Sequence, residues 1–135
     1  MAQYAKIGDV GADEPTNAQP TGFQVPRITQ QEHRDALTAG HKLAIIDNYT
    51  DWCGPCKQCA PQFTALAQKY ARPGLCAFAT ENVEDGVPGK TVKIRGVPCF
   101  HFYVDGVLQP GMTITGGDIG AVENTVRGFL GVDTQ

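Results

Sequence analysis

The feature that most restricts the fold is a change of apolar period on either side of residue 53. Leu43-Ala44-Ile45-Ile46 is an unbroken apolar run of strand length, the pattern of a strand covered on both faces and therefore central. Further on, Phe63, Leu66, Ala67 and Tyr70 recur at i, i+3, i+4 and i+7, one stripe of a helix that Pro55 can open from its first turn. A buried strand feeding straight into a helix is the unit from which sheets covered by helices are built, so this stretch alone points to the α/β class. Pro61 falls inside the helix and is expected to kink it.

The other segments supply the rest of such a sheet. Phe23 to Ile28 reads as a short extended segment that Pro26 confines to an edge. Thr29, with Glu32 placed as in a capping box, predicts a helix that stops at Gly40. Arg72-Pro73-Gly74 ends the long helix, and Leu75 to Thr80 is a second buried strand. The Gly- and acid-rich stretch Glu84 to Gly89 leads into a short helix or turn ending at Arg95-Gly96. Phe100, Phe102 and Val104 then alternate with Cys99, His101 and Tyr103 at period two, before Asp105-Gly106 supplies a tight hairpin turn. The next strand, about Leu108 to Thr115, is interrupted by Pro110-Gly111 and belongs on an edge. Asp118 is a good N-cap for a last helix whose apolar face is Ile119, Val122, Val126, Phe129 and Leu130. The expected architecture is a central mixed β-sheet flanked by helices on both faces.

A chain of 135 residues, 41% of them hydrophobic, is most simply one domain, and it can bury roughly two thirds of its unfolded surface without disulfide staples. Its five cysteines therefore need a reason other than stability. Residues 1–22 hold few large apolar groups and are expected to be a flexible tail, leaving residues 23–135 as the domain. The net charge of −3, with scattered Lys and Arg, gives no phosphate-tracking surface and no polybasic patch, so neither nucleic acid nor membrane is expected as a partner. No apolar run approaches the ~20 residues that span a bilayer. The N-terminus has neither a charged-then-apolar leader nor an Arg-rich, acid-poor one, so a soluble, cytoplasmic protein is expected. An odd cysteine count in such a compartment implies reduced or reactive thiols.

Trp52-Cys53-Gly54-Pro55-Cys56-Lys57 sets two thiols at C-x-x-C spacing where the strand gives way to the helix. The first helical turn offers unpaired N–H groups and the positive end of the macrodipole, which favour a thiolate at Cys53. Cys53 then attacks a substrate disulfide, and Cys56, one turn away, resolves the mixed disulfide and releases reduced substrate. Gly54-Pro55 narrows the backbone choices and preorganises the pair. Other uses of the same residues fit less well. A zinc half-site would need a second ligand pair at similar spacing, which is missing. Cys59 extends the run to C-x-x-C-x-x-C, but without a compact fourth ligand a buried core thiol is favoured over an iron–sulfur ligand. Lys57 stands where a haem attachment needs His. His33, His41 and His101 share no ligand spacing, Cys76 reads as inert core, and no metal is expected.

With the motif whole at 52–57 and this order of strands and helices, the chain resembles the thioredoxin family over about residues 23–131. The resemblance implies a protein-disulfide reductase, with Asp47 as the buried aspartate that moves a proton to and from Cys56. A carboxyl directly after an apolar run fits that part, because burial raises its pKa toward neutrality. The resemblance further makes Pro61 the proline that bends the active-site helix. It places a cis-proline at Pro98, with Val97 offering backbone hydrogen bonds to an extended substrate, Gly116 beside that groove, and Trp52, Gly54 and Pro55 on the docking surface. It implies no bound cofactor. Electrons come from NADPH through a thioredoxin reductase, and disulfide-containing proteins such as peroxiredoxins are the substrates.

Four positions depart from the family pattern. Tyr49 stands where many members carry a second tryptophan, and Asn48 replaces an aromatic or apolar residue. Thr80 replaces a lysine that pairs with the buried aspartate, and Cys99 replaces the threonine after the cis-proline. Cys99 is thus a candidate regulatory thiol near the dithiol, against the plainer reading of a small side chain tolerated at a strand start. These changes and the tail motivate an alternative, an interaction subunit with this fold whose main role is docking to a larger complex. A secretory oxidase or isomerase fits poorly, since Gly-Pro between the cysteines resembles the reducing members.

Overall fold

The computed structural model describes residues 24–131, so the expected tail at 1–22 lies outside the described residues. Strand β1 (Arg27–Ile28) is followed by α1 (Gln31–Ala39), β2 (Leu43–Tyr49), α2 (Gly54–Tyr70) and β3 (Cys76–Asn82). Then come β4 (Cys99–Val104), β5 (Val107–Leu108), β6 (Ile114–Thr115) and α3 (Ile119–Leu130). The sheet order is β1-β3-β2-β4-β5, with β6 also on β4. β1 and β2 run parallel to β3, while β4 is antiparallel to β2, so the sheet is mixed. β2 is central as its unbroken apolar run requires, with Leu43, Ala44 and Ile45 fully buried.

Period-two alternation sorts the strand residues between two layers. Ile45, Phe78 and Phe102 lie side by side in register. Phe63 of α2 packs on Phe78 and Phe100 with ring centroids 5.6 Å away in each case. α3 adds Ile119, Val122 and Val126 to this core. The opposite face presents Ala44, Ile46, Ala77, Ala79, Glu81 and His101 toward α1, whose Arg34 reaches Glu81.

Several expectations need correction. Gln30, in an extended conformation (φ −141°), occupies the N-cap of α1 without a side-chain bond, so the helix starts past Thr29 and no capping box forms. No helix forms between the 3₁₀ turn Val83–Asp85 and β4, where a short helix or turn was expected. The alternating residues of β4 are covered on both faces, five of the six being buried. Pro110–Met112 forms a 3₁₀ turn that divides the predicted edge strand into β5 and β6. Phe129 is 39% exposed and lies outside the core. The hairpin turn is as expected, with Asp105 (φ 52°) and Gly106 (φ 83°) both left-handed, the geometry that matches strand twist. Asp118 caps α3 by accepting from the Ala121 N–H at 3.0 Å.

Candidate active site

β2 ends at Tyr49, and Thr50 to Trp52 make the turn into α2, with the Cys53 N–H donating to the Thr50 carbonyl at 3.3 Å. Cys53 is itself the N-cap of α2. Its extended backbone (φ −85°, ψ 113°) lets its sulfur accept from the Cys56 N–H at 3.1 Å. Pro55 occupies the first turn, where a missing N–H costs nothing. Cys53 and Cys56 are joined as a disulfide, with Cα atoms 5.3 Å apart. A sulfur at an N-cap faces unpaired amides and the positive end of the helix, an arrangement that supports negative charge on Cys53 when the bridge is reduced.

The second wall comes from the far end of the segment that joins β3 to β4. The Val97–Pro98 peptide is cis, as expected, and the Val97 carbonyl oxygen lies 3.7 Å from Cys53 Sγ. Gly116, at φ +102°, donates its N–H to the Pro98 carbonyl at 2.8 Å, and its left-handed backbone accounts for glycine there. Gly54 and Pro55 are exposed beside the disulfide. Trp52 is 70% exposed, and its indole N–H donates to Glu84 at 2.9 Å, so it flanks the dithiol without bonding to it.

Asp47 lies beneath. Its side chain is buried, its Oδ1 has no hydrogen-bond partner, and burial pushes its carboxyl up to about 7. A cavity of ≈ 310 Å³ is bordered by Asp47, Tyr49, Thr50, Cys56, Lys57 and Thr80, so the carboxyl and Cys56 share one space. Thr80 is the register partner of Asp47 on β3, so the cation missing at that position is not replaced in place; the cation that borders the cavity is Lys57.

The other thiols are held apart from this chemistry. Cys59 donates to the Cys56 carbonyl at 3.6 Å, and burial pushes it up to about 11. Cys76 is fully buried and pushed up to about 12. Cys99 is 3% exposed, sits 4.0 Å from the Thr115 hydroxyl and is also raised by burial, which favours the small-side-chain reading over a regulatory thiol. Among the described residues, no group of three or more His, Cys, Asp or Glu side chains is placed to hold a metal ion. Two contributors escaped the sequence reading. Glu84 had no signal beyond its acidic run, whereas Glu81, one residue past the buried strand Leu75 to Thr80, carried a weaker form of the signal that marked Asp47.

Comparison with known proteins points one way. A family model described as Thioredoxin matches residues 24–125. The chloroplastic F-type thioredoxin of Brassica napus is 37% identical over 107 residues, which cover 76% of this chain and 57% of that protein. The chain therefore spans little more than half the length of that relative. A thioredoxin of Coprinus comatus is 32% identical over 104 residues, covering 76% of this chain and 95% of its own length. A solved structure of Plasmodium falciparum thioredoxin superposes with a TM-score of 0.68 at 25% identity, over 78% of this chain and 99% of that one.

Proposed function

The chain belongs to the thioredoxin family, and on that premise we propose that it is a protein-disulfide reductase that cycles between a Cys53/Cys56 dithiol and the disulfide. The observation that carries this reading is the placement of the Cys53 sulfur, bonded to the Cys56 N–H at the start of α2 and faced by the Val97 carbonyl at 3.7 Å. An extended peptide lying along Val97 would bring its disulfide to that sulfur.

In the reduced protein the Cys53 thiolate attacks one substrate sulfur, forms a mixed disulfide and expels the other substrate sulfur as a thiolate. Asp47, ionised near neutral pH, takes the Cys56 proton across the shared cavity. The Cys56 thiolate then attacks Cys53 Sγ, which forms the intramolecular disulfide and releases the second substrate sulfur. Two electrons leave the dithiol, and the departing thiolates take up protons from Asp47 and water. Cys53 and Cys56 are only 5% and 4% exposed in the disulfide, so a protein substrate must dock to bring its disulfide to Cys53. Trp52, Gly54, Pro55, Val97 and Gly116 form that docking surface, with Pro98 buried behind Val97.

We assign reduction of the spent disulfide to an NADPH-dependent thioredoxin reductase, with no cofactor bound by this chain. Disulfide-bearing proteins such as peroxiredoxins, in a reducing compartment such as the cytoplasm, are the proposed substrates. No described helix is long and apolar enough to cross a membrane. The test is NADPH consumption in insulin reduction with a thioredoxin reductase. Turnover by wild type that disappears in Cys53→Ser is expected. Absence of turnover by a folded wild type, with a partner still captured by Cys53→Ser, would instead support a docking subunit.

A further inference from the structure

From the 3₁₀ turn to β4 the chain has no regular structure, yet its far end must hold Val97 within contact of Cys53. A loop of this length ordinarily needs its backbone groups satisfied from elsewhere. The anchoring is found on the face of the sheet opposite α2. Ala44, Ala77 and Ala79 leave room on that face, and charged side chains fill it. Arg34 of α1 and Glu81 of β3 are 3% and 1% exposed. The Arg34 Nε and Nη2 groups donate to the two Glu81 oxygens at 3.0 and 2.7 Å. The same guanidinium donates to the carbonyls of Pro88 at 2.7 Å and Val87 at 3.3 Å. From the loop itself, the Lys90 ammonium pairs with Glu81 Oε2.

We propose that Arg34, Glu81 and Lys90 form an ionic clamp that positions the substrate-docking segment, so that Lys90 acts on the reaction through Val97 without touching substrate. The inference rests on the reductase reading for its catalytic consequence, but its structural consequence stands apart from that reading. Three features separate the clamp from a merely satisfied core. One carboxylate meets two cations. One of those cations takes up backbone carbonyls of the loop. The loop residues held, 87, 88 and 90, precede Val97 along the same irregular stretch. Apolar side chains could fill the same volume with equal stability, since buried ion pairs often gain little net energy. They could not grip a backbone.

The test compares pre-reduced wild type, Lys90→Met and Lys90→Arg. The first readout is the rate of insulin reduction against insulin concentration, followed by Trp52 fluorescence. The second is the rate with 5,5′-dithiobis(2-nitrobenzoic acid), a disulfide too small to need the groove. The third is amide hydrogen exchange over 87–97. In Lys90→Met the half-saturating insulin concentration should rise about tenfold with little change in maximal rate, the scale of a misplaced docking wall. The small disulfide should react as with wild type, exchange over 87–97 should quicken, and Lys90→Arg should restore most of both. Equal losses on both substrates, or unchanged exchange in a folded Lys90→Met, would overturn the clamp. If wild type itself reduces neither substrate, the reductase reading fails and the exchange comparison alone decides the clamp. Should Lys90→Met not fold, Lys90→Gln replaces it with the same expectations.

Discussion

The two arms of the active site meet at one contact, Cys53 Sγ against the Val97 carbonyl, but opposite means hold them there. The dithiol arm is local: a buried strand, a short turn and a helix whose N-cap is Cys53, with Cys53 and Cys56 three positions apart. The docking arm is an irregular segment fixed from a distance, by a helix before β2 and a carboxylate on β3. The local arm tolerates changes elsewhere because its geometry follows from neighbouring residues. The docking arm is vulnerable at residues far from the chemistry.

The largest expected effect is on the local arm. Cys53→Ser should lower protein-disulfide reduction by about a thousandfold or more, because no other thiol is placed to replace it. Insulin reduction read against the uncatalysed rate measures this. The largest effect on folding should come from the distant arm. Glu81→Gln leaves Arg34 and Lys90 without their carboxylate in a buried site and should cost about 3–5 kcal/mol in urea unfolding, the usual result of breaking such a pair from one side.

Asp47→Asn should act with the opposite sign. The folded carboxyl holds its proton to about pH 7, whereas the unfolded one ionises near 3.8. The contribution of Asp47 to wild-type stability is therefore full below about pH 4 and is lost as pH rises through 7, by a total on the order of 4 kcal/mol. The Asn variant lacks this loss. Above pH 7 it should be the more stable protein and at pH 4 nearly equal to wild type, while resolution by Cys56 slows. Unfolding at the two pH values, with the decay of a mixed disulfide, checks both halves. The smallest effect should be Arg27→Ala. The Arg27–Asp85 pair ties β1 to the start of the same connecting segment, at 2.8 Å but exposed to solvent, so its loss should leave the melting temperature unmoved. A large shift there would erase the contrast between the buried clamp and the exposed one.

The same difference decides what could be read from the sequence. β2, α2 and the dithiol were legible because each rests on short-range signals: an apolar run, a stripe from Phe63 to Tyr70 and a proline at the first turn. Asp47 was legible as a buried carboxyl from its place after that run, and the structure adds the cavity it shares with Cys56. Val97, Pro98 and Gly116 were proposed through family resemblance, since nothing local to Val97 predicts its contact with Cys53. The segment before β4 was misread as a short helix or turn because its order comes from Arg34 and Glu81. Thr29 failed as a cap because Gln30 took the extended cap conformation, a choice between neighbours that composition does not settle.

The central claim is that Cys53, alone among the five cysteines, attacks the substrate disulfide. It is tested most directly by mixing reduced Cys56→Ser with a disulfide-bonded protein such as insulin and mapping the adduct by mass spectrometry. The account predicts one stable mixed disulfide, joined through Cys53, with Cys59, Cys76 and Cys99 still free thiols. An adduct through any of those three, or none at all from a folded variant, would contradict it.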